Sequence, residues 1–161
     1  MFALDPEKQF RRVVISFRDP RNEAMVEWGA APYRELEAAQ MKEITEYQRE
    51  GAVVYTDAIY TSALGSTAGT TSGMRAQYLA NKAGEAKVER LATMTGGRYF
   101  PIINDVKSYV AQIQADFQNQ FIAGFIPQAG VQPGQAHKIE LHTSRNDLKA
   151  RSQSQYFPAS P

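Results

Sequence analysis

The sequence contains no cysteine, and this absence excludes disulfide bonds, cysteine-ligated zinc and thiol nucleophiles. It contains only two histidines, His137 and His142, and no His-Glu-x-x-His zinc motif. A Walker phosphate-binding loop and a strand–GxGxxG–helix unit are also lacking. We therefore expect no catalytic residue, no metal and no cofactor in this chain.

Charge of one sign and long apolar runs are lacking as well. The 18 basic and 17 acidic residues nearly balance, and no basic stripe indicates nucleic-acid binding. Apolar runs are only a few residues long, so we expect no insertion into a membrane. The first ten residues, MFALDPEKQF, lack a basic segment followed by an apolar core, so we expect no signal peptide here.

What is present is the composition of one globular domain, with 43% apolar residues among 161. Val13–Phe17 is a short apolar run without alternation, which is typical of a strand buried on both faces of a parallel sheet. Asp19-Pro20 ends this strand, and residues 20–31 have the composition of a loop. Trp28 and Met25 lie in that loop and are the candidate protein-contact residues, because Trp is enriched in interface hot spots. The alternative is that Trp28 folds onto the sheet edge.

Helix and strand patterns then alternate. We predict a helix from Tyr33 to about Glu50, ended by Gly51, and a second strand over Ala52–Tyr60. Residues 61–74 read as a flexible loop, and a helix over about 76–94 follows. Asn104 caps a last predicted helix. Helical spacing predicts which residues of these two helices face inward. They are Leu79, Val88, Leu91 and Ala92 in the helix over 76–94, and Val106, Tyr109, Val110, Ile113, Phe117 and Phe121 in the last helix.

Thr95–Gly97 ends the helix over about 76–94, and RYFPI predicts a third short strand that Pro101 confines to a sheet edge or to a strand end. After the last helix, the segments FIAGFIP, HKIELHTS and LKARSQSQYF predict three antiparallel strands. His137 and His142 would lie on opposite faces of the second of these strands, so a shared metal is not expected. The predicted fold is α/β: a partial Rossmann-like parallel sheet with flanking helices and a C-terminal antiparallel β extension. We divide it into a lead-in (1–10), an α/β portion (11–121) and an extension (122–161) packed on the same domain.

Several segments in this order resemble the acidobacterial von Willebrand factor type A-related domain proteins. RRVVIS stands where that family has a strand leading to an Asp-Gly-x-Asp loop, and AVVYTDAIY is similar to its next strand. LATMTGGRYF, IQADFQNQFIAGFIP, GQAHKIELHT and LKARSQSQYF are similar to its later segments. The resemblance covers about residues 11–157 and implies the C-terminal half of a bacterial von Willebrand type A-like domain.

The resemblance also implies where a metal-ion-dependent adhesion site would lie. No Asp-x-Ser-x-Ser segment occurs in the chain, and the metal-facing Asp of the family falls at Phe17, or at Asp19 with a shift of two residues. Asp19 and Asn22 alone are too few ligands for a hard cation, and Asp-Pro is a common turn start. We therefore expect no intact metal site.

The function that we expect is a non-enzymatic protein-interaction module. An open apolar edge at Val13–Phe17 would have to be covered by a homodimer, by the N-terminal segment or by an upstream piece. One alternative is a metal-dependent adhesion domain completed by upstream sequence. Another is a hydrolase using a Ser or Thr of the 61–74 loop, where GSTAG has Thr67 in the nucleophile position. The resemblance implies an exported protein.

Overall fold

The structure, a computed structural model, describes residues 12–21, 23, 33–59, 71–101, 106–121, 130 and 132–158. The described residues form three long helices and five strands, which we number in chain order. They are β1 (Val13–Arg18), α1 (Tyr33–Arg49), β2 (Val53–Ala58), α2 (Thr71–Met94), β3 (Tyr99–Phe100), α3 (Val106–Gln118), β4 (His137–Lys138) and β5 (Gln155–Tyr156).

The main sheet is parallel and has the order β1-β2-β3. β1 and β2 pair over their full length, from Val13 opposite Val53 to Arg18 opposite Ala58. β2 lies in the centre, and all six of its residues are buried. The predicted α/β class with a parallel sheet is confirmed, and its architecture is compatible with a partial Rossmann-like fold.

Two clusters of apolar side chains hold helices on the two faces of this sheet. On one face, Ile44 of α1 and Leu91 of α2 pack against Val54. On the other, Tyr109 and Ile113 of α3 pack with Val53 and neighbouring residues of the sheet. Successive side chains of a strand point to opposite faces, so Val53 belongs to the cluster under α3 and Val54 to the cluster under α1 and α2.

The end of α2 confirms the predicted Thr95–Gly97 stop. Gly96 has a φ of +81°, and a Cβ on Gly97 would lie 2.0 Å from the Val54 carbonyl oxygen. Thr95 is fully buried, and its Oγ1 accepts a hydrogen bond of 3.1 Å from the Val54 amide. The Val54 amide points to the side of β2 on which β3 lies, but β3 pairs only with Thr56 and Asp57. The Thr95 hydroxyl therefore accepts the hydrogen bond that a neighbouring strand would otherwise accept.

Two helical predictions are wrong in detail. α2 begins at Thr71, inside the predicted 61–74 loop, and its Leu79 is exposed. Tyr109 and Ile113 of the predicted stripe are buried, whereas its other members are exposed: Val106, Val110 and Phe117 in α3, and Phe121 beyond its end. Burial needs a neighbouring element as well as a periodic apolar pattern. The three-stranded sheet is too narrow to cover every apolar residue of these two helices.

The predicted loop over residues 20–31 also needs correction. Pro20, Arg21 and Glu23 have helical backbone, and the Glu23 amide donates to the Asp19 carbonyl at 3.4 Å. This turn packs closely on α2, since a Cβ on Gly84 would lie 1.8 Å from the Pro20 carbonyl oxygen. Gly84 is therefore a contact point between the turn and α2.

The antiparallel extension is present but shorter than predicted. β4 and β5 pair over two residues each, and residues 139–150 form no strand. The first predicted strand lies almost entirely outside the described residues. The extension contacts the ends of α1 and α2, where the Ser154 amide donates to the Met94 carbonyl at 3.0 Å. Gln48 of α1 donates to the same carbonyl at 2.7 Å.

None of the helices in the described ranges combines the length and apolar character that crossing a bilayer requires.

Candidate functional site

The outer edge of β1 carries backbone groups that no described strand uses. The Arg12 carbonyl accepts from the Val53 amide, and the Arg18 carbonyl accepts from the Ile59 amide, both at 2.9 Å. Because the hydrogen-bonding direction alternates along a strand, the even-numbered residues of β1 face β2. The N–H and C=O groups of Val13, Ile15 and Phe17 therefore face the open edge, since β1 pairs only with β2 among the described residues.

The side chains of the same three residues lie on one face of the sheet. Val13 is half-buried and packs against the α3 cluster, but Ile15 is 45% exposed and Phe17 is 57% exposed. The predicted burial of this strand on both faces is thus wrong for the face towards α3. We call Val13, Ile15 and Phe17, with their outward backbone groups, the β1 edge surface.

The opposite face of β1 is covered by α1. Val14 packs against the cluster that includes Ile44. Arg18 pairs with Glu43 of α1, and it also pairs with Glu23 at 3.2 Å. Only the side of β1 towards α3 therefore offers apolar side chains to an incoming chain.

α3 lies over β2 and leaves β1 at its border. The rings of Phe17 and Tyr109 have centroids 6.4 Å apart, and those of Tyr55 and Phe117 are 6.1 Å apart. Tyr109 is buried, and burial first, with the nearby Asp57 second, raises its pKa to about 12. The β1 edge surface therefore continues into a rim of aromatic rings.

Asp57 is a functional candidate that the sequence did not reveal. It lies opposite Phe17 near the carboxyl end of β2, where open α/β sheets commonly place ligands. It is 1% exposed, and its Oδ1 has no hydrogen-bond partner within the described part of the chain. Burial raises the pKa of this carboxyl. The available signal was a lone carboxylate in the apolar run AVVYTDAIY.

The structure gives Asp19 a structural role. Its Oδ1 accepts from the Arg21 amide at 3.0 Å, and its Oδ2 lies 2.8 Å from the Arg21 guanidinium. Asp19 thus caps the turn that Pro20 begins, which is the arrangement expected for an N-cap followed by Pro at the first helical position. The Asp19 carboxylate is already neutralised by a cation, and Phe17 supplies no ligand atom.

The histidines lie apart from the β1 edge. His137 stacks on Tyr156 at 5.4 Å, whereas His142 is exposed and lies 3.7 Å from a Glu140 oxygen. The described ranges contain no cluster of three or more His, Asp or Glu side chains that could hold a metal ion.

Other predicted positions fall outside the described residues. These are the candidate contact residues Trp28 and Met25, the ligand candidate Asn22, and Thr67 with most of the 61–74 loop.

Comparisons of the chain with protein-family models, with curated proteins and with solved structures find no match. The resemblance to the von Willebrand type A-related proteins stays a prediction from the sequence.

Proposed function

We propose that this chain is a non-enzymatic protein-interaction module, related to the von Willebrand type A-related domains that it resembles, and that it binds its partner along the β1 edge surface. The observation that carries the proposal is that β1 combines backbone groups that no described strand pairs with exposed apolar side chains. Ile15 and Phe17 are 45% and 57% exposed on a strand whose outward N–H and C=O groups have no described partner.

Strand addition explains why both features occur on the same residues. An extended segment that pairs with a sheet edge gains affinity from main-chain hydrogen bonds and specificity from alternate side chains. On β1, the odd-numbered residues supply both the outward backbone groups and the side chains on the uncovered face. An exposed apolar edge is also a liability for a free protein, which favours an occupant for it.

A metal-dependent adhesion function receives less support. The carboxylate at the position closest to the expected ligand, Asp19, is held by Arg21 through both of its oxygens. A hard cation prefers about six oxygen ligands, and displacing a bound guanidinium adds a cost to its binding.

A strand peptide tests the proposal without knowledge of the natural partner. A fluorescein-labelled peptide of alternating valine and threonine, titrated with the protein, is expected to show saturable binding by anisotropy. Phe17→Thr removes one cross-strand apolar contact and should weaken binding about fivefold. Leu79→Thr on α2 is the matched control, because Leu79 has the same 57% exposure as Phe17. No binding, or equal weakening by both substitutions, would contradict the proposal.

A further inference from the structure

We infer that the occupant of the β1 edge is a second copy of this chain, paired with the first in antiparallel orientation about a two-fold axis perpendicular to the sheet. This inference rests on the proposed function, because it names the partner of the same surface. The backbone directions and the side-chain order of β1 support it, and the charges of β1 are compatible with it.

The backbone groups of β1 are arranged for pairing with themselves. In an antiparallel pair, two directly opposite residues either both direct their backbone N–H and C=O groups at each other or both direct them away. The residues of one copy whose backbone groups face the open edge must therefore lie opposite the equivalent residues of the other copy, with their side chains on the same face of the sheet. In β1 these are the odd-numbered residues, and a register centred on Ile15 uses all three of them. Each hydrogen-bonded pair exchanges two bonds, which gives about six across the axis.

The side chains select this register among those that the two-fold axis allows. Centring on Ile15 places Val13 opposite Phe17 of the second copy, so every opposing pair on the uncovered face is apolar. Centring on Ser16 would place Val13 opposite Asp19, and centring on Val14 would leave Phe17 without an apolar residue opposite it. The chosen register therefore joins the two β1 edge surfaces into one apolar stripe.

The charges on the other face are compatible with the same register. Arg12 then lies opposite Arg18 of the second copy, which alone would be unfavourable. Arg18, however, is paired with both Glu23 and Glu43, so the group has one guanidinium and two carboxylates. Arg12 is itself paired with Glu50 at 2.9 Å, so both guanidinium groups are compensated within their own copy and their approach does not exclude the register.

The size of the contact sets its strength. Six residues of β1 are available per copy, whereas a standard stable interface uses about 20–30 residues on each side. Strand pairing with some aromatic rim from α3 is smaller than that, so we expect a reversible dimer that depends on protein concentration.

The test uses charge at the two-fold axis. In sedimentation equilibrium of the full chain, the average mass should rise with concentration from 17.9 kDa towards twice that value. Ile15→Lys and Ile15→Glu should each stay monomeric, because residue 15 faces its own copy and like charges oppose each other. An equimolar mixture of the two variants should restore the dimer. Leu79→Lys is the control and should dimerise like the wild type.

A second variant covers the case in which a charge at position 15 impairs folding. Phe17→Thr introduces a β-branched residue that strands accommodate, and it should weaken the dimer severalfold with unchanged circular dichroism. A wild type that is monomeric at all concentrations, or a dimer that survives both Ile15 substitutions, would overturn the inference. If the wild type is monomeric but binds the valine–threonine peptide, the second copy is wrong and the proposed function stands; if it does neither, both fail.

Discussion

Ile15 of β1 and Tyr55 of β2 lie opposite each other in the parallel register of the sheet, yet Ile15 is 45% exposed and Tyr55 only 2%. The difference arises because α3 covers β2 through Tyr109 and Ile113 and does not extend over β1. Solvent therefore meets apolar side chains at the strand whose outer backbone edge pairs with no described strand. This relationship is the basis of the proposed interaction.

Asp57→Asn should change how stability depends on pH. Burial raises the pKa of Asp57, so the folded state holds this proton more tightly than the unfolded chain. The contribution of this group to the free energy of unfolding is thus greatest below its ordinary pKa of 3.8 and is lost as the pH rises through the folded-state pKa. Asn cannot ionise, so the variant should gain stability relative to the wild type with rising pH.

Urea unfolding of both proteins between about pH 4 and about pH 8 measures this difference. Asp147→Asn is the control, because Asp147 is exposed and a hydrogen bond from Arg145 lowers its pKa. That variant should stay nearly parallel to the wild type over this range, because a carboxyl with a lowered pKa loses its contribution only as the pH falls below its ordinary value of 3.8. Parallel pH profiles for wild type and Asp57→Asn would contradict the prediction.

Thr95→Val should destabilise the protein although the two side chains have nearly the same shape. The substitution removes the hydroxyl that accepts from the Val54 amide and leaves that buried N–H without a partner. The expected loss is about 1–3 kcal/mol in the free energy of unfolding, measured by urea denaturation. Thr95→Ser keeps the hydroxyl and should lose less; equal losses would argue against the hydrogen bond as the cause.

Gly84→Ala should reverse the usual effect of this substitution in a helix. In an open helix interior, replacing Gly by Ala gains about 1 kcal/mol. Here the new Cβ would lie 1.8 Å from the Pro20 carbonyl oxygen, so the turn must move away from α2. We expect a net loss of about 1–3 kcal/mol. Ala86→Gly, at an exposed position of the same helix, should cost about 1 kcal/mol and calibrates the helix propensity.

Divalent cations should leave thermal stability unchanged. Asp19 is already bonded by Arg21, and the carboxyl end of β1 offers Phe17 where the family that the sequence resembles has a ligand. The midpoint of thermal unfolding is therefore expected to be the same in millimolar Mg²⁺ or Mn²⁺ as in a chelator. A rise of several degrees would instead favour the metal-dependent adhesion alternative.

Local patterns predicted the main elements well. The run at Val13–Phe17 became β1, and Gly51 ends α1 with a φ of +65° where a C-terminal stop was predicted. Thr95–Gly97 ends α2, and Pro101 follows a two-residue strand at the edge of the sheet. These features depend on glycine and proline geometry and on short apolar runs, which are properties of neighbouring residues.

Burial could not be predicted in the same way, because it depends on which elements lie nearby. Leu79 fits the helical spacing of a buried face, but it precedes the part of α2 that packs on the sheet. Ile15 and Phe17 belong to an apolar run, yet none of the described helices covers their side of it, and both stay exposed. Asp57 shows the opposite deviation, because it is an acidic residue that sequence patterns place at the surface and that the central strand buries.

Residue-resolved amide hydrogen exchange of β1 tests the central claim most directly. In dilute protein, the amides of Val14 and Ser16, which face β2, should be protected, whereas those of Ile15 and Phe17 should exchange rapidly. Adding the strand peptide, or raising the protein concentration, should protect Ile15 and Phe17 and leave Val14 and Ser16 unchanged. Strong protection of Ile15 and Phe17 in the dilute, peptide-free protein would mean that the chain covers its own edge, and would contradict the account.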